Sequence, residues 1–359
     1  MDSLDGAVAA ARTGGPAGEI RVRTSLMSAL VALSIDVDVV TSDAEMAARV
    51  GPDGRLPHDI LIFDEWTLVA PGGRAHPWVS GRESDVFLLA FFGLESTDVG
   101  GFAVRPEHVL TAFPNALGVG STFLGFSVVP KWAPREGQCE AARTAFGGHS
   151  DALDVACSER AVADARAAGA PPLPAKKVPG EGVVWGKKRS YFDGGGRVEW
   201  LGAAAALAPL HGSFPLSAAD GTAIVAAGRS HGHMAKEEWD ALLGSASFFV
   251  GVGDPLLGPS AVDALGAGAV YIDPFFANVP GVRHDLARWG SQHPFVTMLG
   301  EPYSCGARLD QPVELAACVR KALSLDLPPF VPAVLTPVEH MKRVKLIFAP
   351  WAADKPASN

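Results

Sequence analysis

Short, continuous apolar segments alternate with helix-like segments along most of the chain, and this alternation restricts the fold more than any other feature. The apolar segments are HDILIFDEW, ESDVFLLAFFG, STFLGFSVVP, GVVWGK, SFFVGVG and AVYID. Strands that are apolar on both faces, with helices between them, are typical of parallel sheets covered on both sides. The sequence therefore predicts an α/β chain with doubly wound sheets.

A Pro/Gly-rich segment, AAGAPPLPAKKVPGEG, divides the chain after an Ala-rich stretch at 141–177. Such a composition is typical of a linker. Because 359 residues are enough for two domains, we predict an N-terminal Rossmann-like domain over 1–178 and a C-terminal one over 179–350. Outside the apolar segments, the predicted elements are a helix over Ser25–Leu33, a strand over Ile35–Val40, a helix over Val198–Leu210, a strand at TAIVAAG and a helix over Lys236–Leu243.

Charge, cysteine content and hydropathy exclude several classes of protein. The net charge of −9 argues against a nucleic-acid partner, because no basic stripe would neutralise phosphates. No apolar run is long enough to span a bilayer, and the N-terminus lacks the pattern of a signal peptide, so we expect a soluble chain. The four cysteines fit no metal site; we expect free buried thiols, although two could pair: Cys139, Cys157, Cys305 and Cys318.

The stretch SFFVGVGDPLLGPSAVDALGAGAVYIDP joins two apolar strands through a glycine-rich loop and a short helix. Gly251, Gly253 and Gly258 would let the backbone approach a ligand. Ser260 is a candidate N-cap of the helix that follows, and the exposed N–H groups at the start of this helix would favour binding of a phosphate. Asp263 could accept hydrogen bonds from ribose hydroxyls. Alternatively, the glycines serve tight turns and Asp263 only complements the helix dipole.

Several segments in this order resemble the N-acetylglucosaminyltransferase V family, the α-1,6-mannosyl-glycoprotein β-1,6-N-acetylglucosaminyltransferases. They are TGGPAGEI, HVLTAFPNALGVGSTFLGFSVV, GVVWGKKRSYF, the glycine-rich stretch above, SQHPF and EHMKRVKLI. The resemblance implies an enzyme of the GT-B fold, with two Rossmann-like domains facing a cleft. It implies inverting, metal-independent transfer of N-acetylglucosamine from UDP-GlcNAc to the 6-hydroxyl of an α-mannose on an N-glycan, with no cofactor and a Golgi location.

The same resemblance suggests roles for individual residues. Glu19, in TGGPAGEIR, stands where the family keeps its general base, which an inverting transfer needs to deprotonate the acceptor. Asp263 replaces a glutamate expected to bind the ribose of UDP. Arg283 stands where the family has a donor-site lysine, and it could neutralise the leaving diphosphate; alternatively, it is a surface arginine.

The remaining candidates surround these residues. Gly253, Gly258, Pro259 and Ser260 belong to the loop expected to cradle the donor, and His293 either contacts the donor or orders that loop. Lys187 and Lys188 are candidates for the pyrophosphate or solvated surface lysines. Asp64 and Glu65, at the end of a predicted strand, are second candidates for acid–base or acceptor contacts.

Departures from the family pattern leave two alternatives open. The loop carries Leu256 and Leu257 where the family has an aromatic residue and a glutamate, so the chain could use another donor or acceptor, or be a non-catalytic glycan-binding relative. The family's cysteines in the strand after this helix and near the C-terminus are absent, which argues against the same disulfide-stabilised lumenal form. A nicotinamide-dependent enzyme is disfavoured because no G-x-G-x-x-G motif follows a first strand.

Overall fold

The structure is a computed structural model of the 359-residue chain. It describes residues 18–40, 42–64, 67–70, 72–94, 96–114, 120–176, 180–186, 188–192, 197–213, 228–232, 234–276, 279 and 287–352. These residues belong to two compact units, one formed by 1–127 together with 334–359 and the other by 128–333.

The first unit contains a parallel sheet with the strand order β1-β2-β5-β6 and a small antiparallel hairpin, β3-β4. In the sheet, Leu61 pairs with Val86 and Leu88 pairs with Val109, and all four side chains are buried. A central strand buried on both faces explains the continuous apolar sequence. The strands are β1 (Leu61–Asp64), β2 (Val86–Leu89), β3 (Asp98–Val99), β4 (Phe102–Ala103), β5 (Val109–Thr111) and β6 (Thr122–Phe123).

The second unit contains a parallel sheet of the described strands β7 to β12, in the order β12-β11-β10-β7-β8-β9. Numbered from β7, this is the 3-2-1-4-5-6 order of a doubly wound dinucleotide-binding fold. The direction in which strands are added reverses between β7 and β10. The strands are β7 (Gly182–Trp185), β8 (Leu210–Ser213), β9 (Gly228–Ser230), β10 (Phe248–Val250), β11 (Val270–Phe275) and β12 (Ser304–Arg308).

Helices connect and cover these strands. In the first unit, α11 contacts α1, and its Phe348 ring packs 5.0 Å from the ring of Phe87 in β2. In the second unit, α10 packs against β12 and α6. The helices are α1 (Gly18–Ala32), α2 (Asp43–Ala48), α3 (Gln138–Phe146), α4 (Asp151–Ala156), α5 (Glu159–Ala167), α6 (Arg197–Ala205), α7 (Lys236–Ser245), α8 (Ser260–Gly266), α9 (Pro294–Leu299), α10 (Pro312–Leu323) and α11 (Pro337–Ala352).

Most apolar segments are strands as predicted, but two local predictions are wrong. Ile35–Val40 is not a strand; its alternate residues are exposed and it pairs with no strand among the residues that the structure describes. The helix predicted over Val198–Leu210 ends at Ala205, and Leu210 begins β8. The segment TAIVAAG lies outside the described residues except for Gly228, which begins β9.

The two units divide the chain at other positions than the boundary predicted after residue 178. Residues preceding that boundary belong to the second unit because they bond to it: the Gln138 amide donates to Asp326 Oδ1 at 3.1 Å and to the Leu327 carbonyl at 3.0 Å. The Ser150 hydroxyl donates to the Glu301 carbonyl at 2.7 Å. The C-terminal helix α11 belongs to the first unit instead.

The expectation of free thiols is wrong, because the four cysteines form two disulfides. Cys139 at the start of α3 is bonded to Cys157 after α4, with Cα atoms 5.7 Å apart. Cys305 in β12 is bonded to Cys318 in α10, with Cα atoms 5.8 Å apart. Each disulfide joins elements that lie close in the chain, with sequence separations of 18 and 13 residues, a pairing that spacing alone did not reveal.

Among the described helices, none combines the length and the apolar character that crossing a bilayer requires.

Candidate functional site

The candidate donor loop, residues 251–259, leaves the sheet of the second unit where its strand order reverses. It follows β10, which pairs with β7 in the register Val250 to Val184, and it leads into α8. In open parallel sheets, ligands bind beyond the carboxyl ends of the strands at such a reversal. The fold therefore places the glycine-rich loop at the position where this architecture holds its ligands.

Two glycines of the loop are required by their surroundings. A Cβ on Gly251 would lie 2.2 Å from Gln292 Oε1 and 2.7 Å from the Tyr271 hydroxyl. Gly253 has a φ of +86°, a backbone angle that residues other than glycine rarely adopt. At Gly258 a Cβ would meet only Ser260 Oγ at 3.5 Å, so the structure gives no steric reason for that glycine.

Gln292, in the segment SQHPF, bonds to this loop at three points. Its Oε1 accepts a hydrogen bond from the Gly253 N–H at 2.8 Å, and its Nε2 donates to the Pro255 carbonyl at 2.8 Å. Its own carbonyl accepts from the Leu257 N–H at 3.0 Å. The segment SQHPF and the glycine-rich loop, both of which resemble the family, are therefore hydrogen-bonded to each other.

His293 is fully buried and caps α9, where Nδ1 accepts a hydrogen bond from the Val296 N–H at 3.4 Å. Burial lowers the pKa of His293 to about 3, and backbone groups of His293 itself and of Gly258 oppose this shift. The imidazole is therefore neutral near pH 7 and lies against the backbone of the candidate donor loop.

Asp273, in β11, is fully buried below this segment. One carboxylate oxygen accepts from the His293 N–H at 3.0 Å, and the other accepts from the Thr297 hydroxyl. Burial raises the pKa of Asp273 to about 6, although these hydrogen bonds act in the opposite direction. The carboxylate ties the SQHPF segment to the end of β11.

Asp263, on α8, lies in a cluster of alternating charges. Its Oδ1 is 4.0 Å from Lys131 Nζ, and its side chain is 10% exposed. Lys131 Nζ also donates to Asp240 Oδ1 at 2.8 Å, and Asp240 pairs with Lys236. Lys131, Asp240 and Asp263 line one shallow pocket. Asp263, in the first turn of α8, therefore faces a lysine.

The start of α8 differs from its prediction. Pro259 is the N-cap and makes no side-chain cap bond, while Ser260 is the first helical residue. Ser260 is therefore not the N-cap. Leu257 is fully buried and has a φ of +49°, whereas Leu256 is half-buried. Of these two departures from the family pattern, Leu257 is therefore the one whose side chain lies inside the protein.

In the first unit, Glu19 lies in the first turn of α1, but its side chain is outside the described part of the structure. Asp64, at the end of β1, accepts from Arg23 Nε at 3.1 Å, and its side chain is 17% exposed. This ion pair attaches the end of β1 to α1, one turn after Glu19. Lys188 is exposed after β7, while Lys187, Arg283 and Glu65 lie outside the described residues.

Arg197, at the start of α6, is a candidate that the sequence did not indicate. It is 6% exposed, its Nη1 donates to the Tyr191 carbonyl at 3.0 Å, and its Nη2 is 3.4 Å from the point that a Cβ on Gly253 would occupy. A buried guanidinium therefore lies beside the candidate donor loop. Gln292 and Asp273 were also missed, since only the folded chain brings them to the loop.

Among the described residues, no group of His, Cys, Asp or Glu side chains could hold a metal ion.

Similarity to solved structures defines the class of the fold. The glycosyltransferase AviGT4, involved in avilamycin A biosynthesis, is 13% identical and matches 94% of this chain and 91% of its own, with a TM-score of 0.50. With its two parallel sheets, of which the second is doubly wound, the chain has the GT-B fold of glycosyltransferases, as predicted.

The chain belongs to glycosyltransferase family 18, whose sequence model matches residues 164–350. Two relatives named alpha-1,6-mannosylglycoprotein 6-beta-N-acetylglucosaminyltransferase agree with this. The Caenorhabditis elegans protein is 32% identical over 131 residues, which are 33% of this chain and 19% of that protein. The B form of Homo sapiens is 22% identical over 365 residues, 92% of this chain and 41% of that protein. The chain thus spans well under half of the length of these relatives. The resemblance stated from the sequence is confirmed.

Proposed function

We propose that the chain is an inverting, metal-independent glycosyltransferase that moves N-acetylglucosamine from UDP-GlcNAc to the 6-hydroxyl of an α-mannose on an N-glycan. The observation that carries this proposal is the position of the loop 251–259, at the strand-order reversal and within the residues that match the family. The names of the relatives supply the sugar and the acceptor. The donor nucleotide and the stereochemistry come from the family resemblance.

In this proposal the second unit holds the donor. The backbone N–H groups of Gly258 and Ser260 face the diphosphate, while Gly253, whose N–H is bonded to Gln292, lets the loop approach it without a side chain. Asp263 accepts hydrogen bonds from the ribose hydroxyls. The buried guanidinium of Arg197 adds positive charge beside the loop, and Arg283 and Lys187 supply further positive charge to the diphosphate. Fixed positive charge stabilises a departing diphosphate because it is already in place when the negative charge develops.

The first unit supplies the base. As the 6-oxygen of mannose forms its bond to C1 of N-acetylglucosamine, the carboxylate of Glu19 takes the hydroxyl proton. The bond between C1 and the β-phosphate oxygen breaks, and UDP leaves with the electron pair. Attack from the face opposite UDP inverts the configuration at C1. Asp64 is engaged by Arg23, which favours Glu19 over Asp64 for this role.

The two disulfides support an oxidising compartment, since disulfides persist in the secretory pathway and are rare in the cytosol. We therefore propose that the chain works in the Golgi, as the family resemblance implies. The observed disulfides remove the sequence-based argument against a disulfide-stabilised form.

The test is transfer from UDP-GlcNAc to an α-mannoside, with and without EDTA. Glu19→Gln should reduce transfer at least ~100-fold while UDP binding, measured by thermal shift, is retained. Glu83→Gln, which changes an exposed glutamate of the same unit, is the matched control and should be fully active. If Glu19→Gln transferred normally, Glu19 would not be the base.

The same assay separates the alternatives. Stabilisation by GDP or ADP sugars but not by UDP sugars would indicate another donor, consistent with Leu256 and Leu257. Binding of UDP-GlcNAc without transfer to any mannoside would indicate a non-catalytic relative. Loss of transfer in EDTA would contradict the metal-independent mechanism.

A further inference from the structure

Gln292 contacts alternate residues of the candidate donor loop, and this pattern is specific. The amide oxygen, the amide nitrogen and the backbone carbonyl of one residue bind the Gly253 N–H, the Pro255 carbonyl and the Leu257 N–H, at 2.8, 2.8 and 3.0 Å. The side chain is nearly buried, with 7% exposure for the residue. One residue thus determines the path of the loop over five positions.

Only a primary amide satisfies both side-chain contacts. The Gly253 N–H requires an acceptor and the Pro255 carbonyl requires a donor, so the loop itself fixes which end of the amide is oxygen. A glutamate could accept from Gly253 but would place a negative carboxylate oxygen against the Pro255 carbonyl. A methionine of similar length would make neither bond.

Gln292 is itself held by the end of β11. Its N–H donates to the Pro274 carbonyl at 3.1 Å, the next N–H, of His293, donates to Asp273 at 3.0 Å, and Ser291 forms a bridge with Phe275. Because this segment is bonded to a central strand, the amide of Gln292 is a fixed point rather than a mobile one. The loop takes its shape from β11 through this amide.

We propose that Gln292 is a positioning residue that holds residues 253–257 in the conformation that receives the diphosphate of the nucleotide-sugar donor. This inference rests on the proposed function for the identity of the ligand. Gln292 acts through the backbone of the loop and does not touch the reacting atoms. A loop that is ordered before binding loses less conformational freedom when the donor arrives, so removing the amide should weaken donor binding more than acceptor binding.

The experiment compares Gln292→Met and Gln292→Glu with the unaltered protein. Gln138→Met is the matched control, because Gln138 is also buried and its amide also donates to a backbone carbonyl of the second unit. Hydrogen exchange by mass spectrometry reports on loop peptides covering 251–259 and on β11 peptides. Calorimetric titration with UDP gives the donor-site affinity, and steady-state transfer gives KM for donor and acceptor separately.

In Gln292→Met we expect exchange of the loop amides to rise about tenfold and the dissociation constant for UDP to rise about tenfold, with β11 exchange and the acceptor KM unchanged. Gln292→Glu should also raise loop exchange, because it keeps an acceptor for the Gly253 N–H but sets a carboxylate oxygen against the Pro255 carbonyl. It provides a near-isosteric variant if the methionine variant does not fold. Gln138→Met should leave loop exchange and UDP affinity unchanged.

Two results would overturn the inference. Unchanged loop exchange in both folded Gln292 variants would show that the amide does not order the loop, whether or not the protein binds UDP. Faster loop exchange with unchanged UDP affinity would show that the ordered loop does not serve the donor. If the unaltered protein bound no UDP, the proposed function would fail along with the donor role, while the exchange data would still decide whether Gln292 orders the loop.

Discussion

Replacing Asp273 by asparagine should change how the stability of the second unit depends on pH. The carboxylate is fully buried in β11, and burial raises its pKa from its ordinary value of 3.8 to about 6. Between these two values the folded chain binds the proton more tightly than the unfolded chain. The stability that this carboxyl contributes is therefore fully present below pH 3.8 and is lost as pH rises through about 6.

The magnitude follows from the two pKa values. One pKa unit corresponds to about 1.4 kcal/mol, so the interval from 3.8 to about 6 corresponds to about 3 kcal/mol, of which about 2 kcal/mol falls between pH 4 and pH 7. Asparagine keeps an acceptor for the His293 N–H, and the Thr297 hydroxyl can accept from its amide instead of donating. Asp273→Asn should therefore fold, without this pH dependence.

Two titratable side chains lie near the carboxylate, and neither should obscure the result. Burial lowers the pKa of His293 to about 3, so it removes stability as pH falls from 6.5 towards 3, in the direction opposite to Asp273. Burial raises the pKa of Tyr271 well above its ordinary value, so the phenol stays neutral here. Because His293 titrates in both proteins, the difference between wild type and variant isolates Asp273.

The assay is urea denaturation at intervals between pH 4 and pH 7, with hydrogen exchange of β11 peptides as the readout specific to this unit. The free energy of unfolding of wild type minus that of Asp273→Asn should fall by about 2 kcal/mol over this range. Glu237→Gln, which removes an exposed carboxylate of the same unit, should show no such trend. A difference that stays constant with pH, or that rises, would refute the reasoning.

Three further predictions concern a close-packed glycine, a disulfide and a buried amine. Gly251→Ala should lose about 1–3 kcal/mol of stability because its Cβ has no room, whereas Gly266→Ala, where nothing lies within 4 Å, should lose none; equal effects in urea denaturation would contradict the steric argument. Replacing Cys305 and Cys318 together by alanine should cost about 3 kcal/mol, the loop-closure value for a separation of 13 residues, and an unchanged urea midpoint would contradict it. Burial lowers the pKa of Lys176 from 10.5 to about 7, so the stability that this amine contributes is lost as pH falls from 10.5 towards 7. The free energy of unfolding of wild type minus that of Lys176→Met should therefore rise by about 2 kcal/mol between pH 7 and pH 9. A difference that does not change with pH would mean that the amine stays charged.

The sequence predicted those strands of the second sheet that are buried on both faces along nearly their whole length. Phe248–Val250 and Val270–Phe275 are buried on both faces, so their composition alone indicates a covered parallel strand. β8 was missed because its sequence, LHGS, follows a helical pattern and its pairing is tertiary. There, Gly212 has a φ of +146° and a Cβ would lie 1.8 Å from the Val184 carbonyl oxygen, a close approach that only the neighbouring strand reveals.

The domain boundary could not be read from composition for a similar reason. The Pro/Gly-rich segment before β7 has the sequence of a linker, but Arg135 donates to the Leu173 and Pro174 carbonyls at 3.1 and 2.6 Å and pairs with Asp326. These bonds hold the preceding helices in the second unit. Long-range hydrogen bonds of this kind leave no periodic signal in the sequence.

The candidate site was predicted in its parts but not in its connections. The glycines after β10 were expected to admit a ligand, yet at Gly251 the space is occupied by the Gln292 amide, which in turn bonds the next glycine of the loop, Gly253. Gly251 and Gln292, some 40 residues apart, therefore act together. The absence of a Cβ at Gly251 leaves room for the Gln292 amide, and the amide holds the loop through its hydrogen bonds. Two of the segments that carry the family resemblance, the glycine-rich stretch and SQHPF, therefore depend on each other physically.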